Sequence, residues 1–401
     1  MKKIVLTGFA LMASVCLFAQ SNESTLTQTG PRNEAVITQI GEDNNSTVTQ
    51  NSNNPSGQYN YVTVTQTGDD NNSNVEQDGN RHNAEVDQNG DDNDATVYQE
   101  GRGNDSYVDQ NGDNNDASVS QDGRDNYSVV NQDDNWNSAS VSQEGRGNES
   151  VINQEAGGLV NYFGNNNATV VQDGDYNDAS ISQIGNLLNA NDALIVQRGD
   201  GNDASIDQDG DEGSSANEAK IIQRGDDNES IIHQLSGLLG GGHEALNVQR
   251  GDGNYSDIDQ HGANQEAKVI QIGDGNSSTV EQSYVNNSAT VVQRGDGNQS
   301  EIVQGGTSGV EWVWIVPVPY IDGDNIAEVE QEGEGNISTI DQSGAWFSEA
   351  YVTQDGIGNE STITQTGSGN YANVGQFNDG NISIITQDGT NNYADIYQSG
   401  N

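Results

Sequence analysis

Four scarcities narrow the reading of this 401-residue chain before any pattern is sought. Cysteine occurs once, at Cys16, so no disulfide framework within the chain can hold a fold. Basic residues number 13 against 62 acidic ones, a formal net charge of −49. That charge argues against nucleic acid and anionic membrane surfaces as partners. Hydrophobic residues make up only 31% beside 49 glycines, which argues against a conventional thick core and, on composition alone, favours disorder. Histidine occurs four times, at His82, His233, His243 and His261. These sit at unrelated offsets in the pattern described below, with no nucleophile or metal constellation around them. No enzymatic activity, no cofactor and no specific metal site is expected.

The first segment, MKKIVLTGFALMASVCLFAQ, joins two lysines to an apolar run and a small residue, Ala19. Residues 1–19 are expected to be a secretory signal peptide rather than a membrane span. Valine before Cys16 suits lipoprotein processing poorly, so cleavage after Ala19 is the expected route. Losing Lys2 and Lys3 takes the formal charge from −49 to −51, and the mature chain, 20–401, would carry no sulfur.

What is abundant is order. Glutamines stand 11 residues apart from Gln66 through Gln154, and the count extends to 31 arms between Gln28 and Gln398, resuming phase after every insertion. Asn precedes the glutamine by six in 27 arms, the exceptions being His82, His243, Gln265 and Ser348. Ala or Ser stands at −4 except at Val62, and Val, Ile or Leu at −2 except at Asn247. Two after the glutamine is usually Gly. The arm reads N-x-[AS]-x-[VIL]-x-Q-x-G-x-x, and repetition of this strength decides the fold before composition does.

Positions −6, −4, −2 and 0 share one face of a short strand, while −5, −3 and −1 point the other way. Inward residues are Asn, a small residue, a branched aliphatic and Gln. The remaining x-G-x-x is a turn, with Gly101, Gly112, Gly123, Gly145 and Gly295 supplying backbone angles closed to other residues. Between Gln99 and Gln154 the small residue alternates as Ala95, Ser106, Ala117, Ser128, Ala139, Ser150, so the true unit is two 11-residue arms, a 22-residue strand-turn-strand. The fold class expected is all-β, an amyloid-like β-solenoid of about 15 such rungs. At about 4.7 to 4.8 Å per rung the stack is on the order of 70 Å long.

Burying amides is costly unless they are paired, and stacking identical amides at the strand spacing lets each bond the one above and below. The expected core ladder includes Asn93, Gln99, Asn104, Gln110, Asn115, Gln121, Asn126, Gln132, Asn137, Gln143, Asn148 and Gln154, and further along Asn287, Gln293, Asn298 and Gln304.

The spacing is stretched after Gln50, Gln154, Gln183, Gln208, Gln234, Gln304 and Gln342. All but the first of these follow even-numbered arms, so six insertions are expected on one edge of the stack. The largest, at 305–325, gathers Trp312, Trp314 and Tyr320. It reads either as a docking patch or as a hairpin-like loop folded back over the sheet edge. The tripeptide Arg-Gly-Asp occurs four times, as in VQRGDGN at Val292 to Asn298. In the arm register it is a turn with ordinary fillings. Arg198, Arg224 and Arg250, stacked among Asp200, Asp226 and Asp252, are expected to form a charge-compensating ladder.

The unit, clean in NNATVVQDGDYNDASISQ and present in NYSVVNQDDNWNSASVSQ with Asp134 in place of Gly, resembles the curlin repeat of bacterial curli amyloid subunits. The resemblance covers nearly the whole mature chain. It implies a subunit exported through an outer-membrane curli-type channel, assembled on a nucleator subunit, and laid down as extracellular fibre in a biofilm matrix, with the Asn and Gln ladder as amyloid core. The sequence departs from that family in having far more repeats, in starting both strands with Asn where one usually starts with Ser, and in having Asn22 so close after the expected cleavage.

The first arm, NESTLTQTG, and the last, NYADIYQSGN, both match the consensus, so end-to-end stacking of the chain on itself into cell-surface fibres is the expected outcome. A monomeric solenoid adhesin is the alternative. An ice-binding solenoid is a weaker one, because the Thr-x-Thr pairs at Thr25, Thr47, Thr63 and Thr362 occur only near the ends.

Overall fold

The computed structural model describes residues 21–52, 59–156, 165–185, 190–210, 216–236, 242–313 and 316–400. Residues 1–19 and Trp314 lie outside them. Each arm forms one strand of roughly seven to nine residues, as at Asp94–Arg102, Asp105–Asn111 and Asp116–Arg124. Odd-numbered arms build a 16-stranded sheet and even-numbered arms a 15-stranded one, every arm pairing with the arm two along. The pairing is parallel and in register, so like lies over like: Ala95 over Ala117, Val97 over Val119, Gln99 over Gln121. The fold is the expected β-solenoid, with a rung made of one strand from each sheet.

The period-two pattern explains why these segments are strands. Asp192–Arg198 alternates exposed and buried along its length, with Ala193, Ile195 and Gln197 inward. In most arms one branched aliphatic, such as Ile181, Ile206 and Ile232, is fully buried between the sheets, whereas Leu26 at the end of the stack is exposed and Asn247 takes the position in one arm. Each such side chain contributes about 1.5–3 kcal/mol. From Ala95 onward the Ala/Ser alternation becomes a division between sheets: the longer sheet, which opens with Ser24, Ser46 and Ser73, then carries a column of alanines, and the shorter carries mostly serines, with Ala179 and Ala204 among them.

Glycine in the turn answers two constraints. Gly123 has φ +126°, and a Cβ there would collide with the carbonyl oxygen of Gly145 in the next rung. Gly101, Gly112, Gly145 and Gly295 likewise have positive φ, from +100° to +135°. Asp134 and Tyr284 hold the same turn position with φ 67° and 77°. Each precedes, in its own sheet, an arm whose turn gives way to an insertion, after Gln154 and Gln304.

Because all strands in a sheet run the same way, the chain always crosses from the shorter sheet to the longer at one edge. The insertions after Gln154, Gln183, Gln208, Gln234, Gln304 and Gln342 all occur at that crossing, as the arm count requires. The single extra residue after Gln342 is absorbed as a bulge between Asp341 and Gly344. The largest insertion forms an antiparallel hairpin, Thr307–Val313 with Val316–Asp322, placing Trp312 opposite Pro317 and Tyr320 opposite Gly309.

Candidate functional site

The inward amides form continuous columns along the stack. Gln99 Nε2 donates to Gln121 Oε1 at 2.9 Å, and Gln121 Nε2 to Gln143 Oε1 at 2.8 Å. In the facing sheet Gln110 donates to Gln132 and Gln132 to Gln154, both at 2.9 Å. In the longer sheet every successive pair from Gln28 to Gln398 is joined this way. The shorter sheet does the same from Gln39 to Gln387. Neither column breaks at the largest insertion: Gln293 donates to Gln331 at 2.8 Å and Gln304 to Gln342 at 3.1 Å.

The second amide hydrogen crosses to the other sheet. Gln121 donates to the Asp105 carbonyl at 3.0 Å, Gln132 to Asp116 at 3.0 Å and Gln143 to Tyr127 at 2.9 Å. Each glutamine is thus a rivet along the stack and across it. This answers the cost of burying a primary amide, because both donors and the oxygen are used.

The asparagines stack too, with the expected amide pairs at many rungs and a further set of backbone partners. The Oδ1 of Asn93 accepts the backbone N–H of Asn115 at 3.0 Å, that of Asn115 accepts from Asn137 at 2.9 Å, and that of Asn104 from Asn126 at 3.1 Å. Further along, Asn287 accepts from Asn325 at 3.1 Å, and Asn298 from Asn336 at 3.0 Å. The Nδ2 group mostly holds a turn carbonyl: Asn93 to Gly112 at 2.7 Å, Asn126 to Gly145 at 3.1 Å, Asn148 to Gly174 at 2.7 Å. Asparagine at −6 therefore ties each strand start to the turn beside it, and direct amide pairs such as Asn298 Nδ2 to Asn276 Oδ1, 3.1 Å, are additional.

Where the column changes residue, satisfaction falls. The backbone N–H of His243 still donates to Asn217 Oδ1 at 3.0 Å and its Nε2 faces the Leu235 carbonyl at 3.3 Å, but its Nδ1 has no partner. Burial pushes the His243 ring down to about 4 and that of His82 down as well. Asn247, in the aliphatic column, is buried with Oδ1 unpaired and its Nδ2 against Ser230 Oγ. The serine column is under-satisfied too, with Ser256, Ser278 and Ser300 Oγ buried and unpaired.

The turn charges correct the expected ladder. Arg198, Arg224 and Arg250 do lie over one another, but none is in an ion pair among the described residues. The aspartates instead accept backbone hydrogens: Asp200 N–H donates to Asp226 Oδ1 and Asp226 N–H to Asp252 Oδ1, each at 2.9 Å. A backbone donor one rung away is fixed in place, whereas a long exposed arginine must give up side-chain entropy to pair. Only in the fourth Arg-Gly-Asp copy does the arginine pair, Arg294 with Glu330 at 2.8 Å.

Sequence offsets also concealed a cluster. His233 is at −1 in its arm and His261 at +1, positions that look unrelated along the chain yet face the same way on a strand. The signal to seek was equal parity in neighbouring same-sheet arms.

No helix among the described residues is long and apolar enough to cross a membrane. No curated protein matches the chain. A family model described as Curlin associated repeat matches residues 19–51, 57–90, 90–123, 162–186, 189–216, 251–283 and 348–377, more than half of the chain. With its in-register rungs and paired glutamine columns, this chain belongs to the curlin associated repeat family.

Proposed function

We propose that the chain is a secreted structural subunit of extracellular, curli-like amyloid fibres that grow by end-to-end stacking of rungs and serve attachment and biofilm matrix. The observation that carries this reading is the glutamine column. Each rung presents along the stack axis the same donors and acceptors that the next rung uses, so a rung of another copy fits where a rung of the same chain would.

The outermost strands, Glu23–Thr29 and Tyr393–Ser399, each have one neighbour. They are exposed or half-buried along their length, and open parallel edges template pairing. The acidic exterior opposes association, so growth depends on ionic strength. Residues 1–19 serve as the export signal in this reading. A nucleator subunit and an outer-membrane curli-type channel are the partners the family suggests. The hairpin at 307–322 favours a second reading, a monomeric adhesin that displays it from the stack edge.

Size-exclusion chromatography and amyloid-dye fluorescence on purified 20–401 separate the two. Fibre formation that is seeded by preformed fibres and accelerates with salt supports the proposal. A folded rod that stays monomeric and dye-negative at high salt refutes it.

A further inference from the structure

Two of the four histidines face outward, and they meet. Strands Asp203–Gly210, Glu229–Ser236 and Tyr255–Ala263 are consecutive in the shorter sheet, stacking Asp207, His233 and Asp259 at one register position. His261, two residues beyond Asp259 and so on the same face, lies over Leu235. Its Nε2 is 2.7 Å from Asp259 Oδ1, and His233 Nδ1 is 3.3 Å from the same oxygen. The other nitrogen of His233, Nε2, is 3.6 Å from Asp207 Oδ2. The imidazole rings meet edge to face at 5.5 Å.

One ligand atom from each of His233, Asp259 and His261 lies within 4.8 Å of the other two. Ligands at about 2.0–2.1 Å from a tetrahedral ion stand about 3.4 Å apart, so small side-chain rotations on a rigid sheet bring the set to that geometry. Two neutral imidazoles and a carboxylate suit a borderline first-row ion, whereas calcium and magnesium prefer oxygen alone. The acidic columns elsewhere on this chain offer only oxygen.

We propose that His233, Asp259 and His261 bind one zinc-class transition-metal ion on the outer face of the shorter sheet. His233 ligates through Nδ1, and its Nε2–H is oriented by Asp207, the carboxylate–histidine–metal arrangement that fixes ring tautomer and raises ligand basicity. Three protein ligands leave the remaining coordination open to water or to a donor from another molecule. The side chains are 37–44% exposed, so the ion is reachable from solvent. The site stands on its own geometry and does not depend on fibre growth.

Zinc titration of purified chain against a metallochromic competitor, with millimolar magnesium occupying diffuse carboxylate sites, tests this. One equivalent of zinc is expected, weakened at least tenfold in H233A and in H261A, about tenfold in D207N, and unchanged in D87N, the same register position in another rung. Cobalt substitution supplies a second readout: a visible band of tetrahedral intensity that disappears in H261A while far-UV circular dichroism is retained. Zinc uptake no greater than that of H233A/H261A, or no cobalt band in the parent chain, overturns the proposal and leaves a histidine–aspartate ion-pair column only.

Discussion

Replacing Gln121 by leucine removes one rivet from the middle of the longer sheet while keeping a side chain of similar bulk. Gln143 Oε1 loses the amide that donates to it at 2.8 Å, and the Asp105 carbonyl loses its side-chain donor at 3.0 Å while keeping its place in the backbone ladder. Gln99 keeps its bonds to the carbonyls of Asn83, 2.9 Å, and Asn104, 3.0 Å, so its amide nitrogen is not stranded. The Gln143 oxygen, buried and left without a partner, costs about 1–3 kcal/mol, the Asp105 carbonyl loses less, and the apolar burial of leucine offsets part of this. A net loss of about 1–2 kcal/mol follows. Solenoids unfold in segments, so the assay is hydrogen exchange of the strands Asp116–Arg124 and Ser138–Arg146 together with the denaturation midpoint. The control is Ser142→Ala, exposed beside the same column and expected to stay within about 0.5 kcal/mol. Equal protection and equal midpoints in the two variants would refute the idea that paired glutamines carry the polar core.

Three further outcomes follow from named residues. Ser278→Ala deletes a buried hydroxyl without a partner in a column where Ala179 and Ala204 already stand, so the denaturation midpoint should hold or rise, by up to about 1 kcal/mol. His243, held to about 4 against an ordinary 6.5, protonates in the unfolded chain first. It therefore costs nothing above about pH 6.5 and progressively more as pH falls toward 4, about 3 kcal/mol in all. His243→Asn should remove that share of acid sensitivity in melts between pH 7 and 4. Exposed carboxylates such as Asp116 and Asp203, raised by partial desolvation on the strand face, act in the opposite sense, stabilising the fold below their ordinary range and losing that effect as pH rises through their raised values. Gly123→Ala forces a Cβ onto the Gly145 carbonyl at φ +126° and should cost at least about 2 kcal/mol in the same denaturation assay.

Much of this architecture is legible in the residues because a period-two strand inside a period-11 arm leaves few alternatives. Once Gln99 and Gln121 are matched, the sheets, the register and the edge carrying six insertions follow from counting. Hydrogen-bond partners are less legible. Asparagine is one methylene shorter than glutamine and sits beside the turn, where unpaired backbone N–H and C=O groups compete for its amide. The pattern shows that Asn115 points inward, but not that it holds Asp134's carbonyl, at 2.7 Å, in preference to another amide. The same competition turned Asp226 toward a backbone hydrogen and away from Arg224. The cluster of His233, Asp259 and His261 escaped because chain offsets hide neighbours that a parallel register, 26 residues apart, brings side by side.

X-ray diffraction from aligned fibres of the purified 20–401 chain tests the account most directly. A reflection along the fibre axis at about 4.7–4.8 Å with an equatorial one near 10 Å, and a mass per length of one chain per roughly 70 Å, is the result predicted for rungs stacked end to end. Fibres whose mass per length corresponds to one chain per single strand layer, or a folded chain that yields no fibres at all, would contradict it.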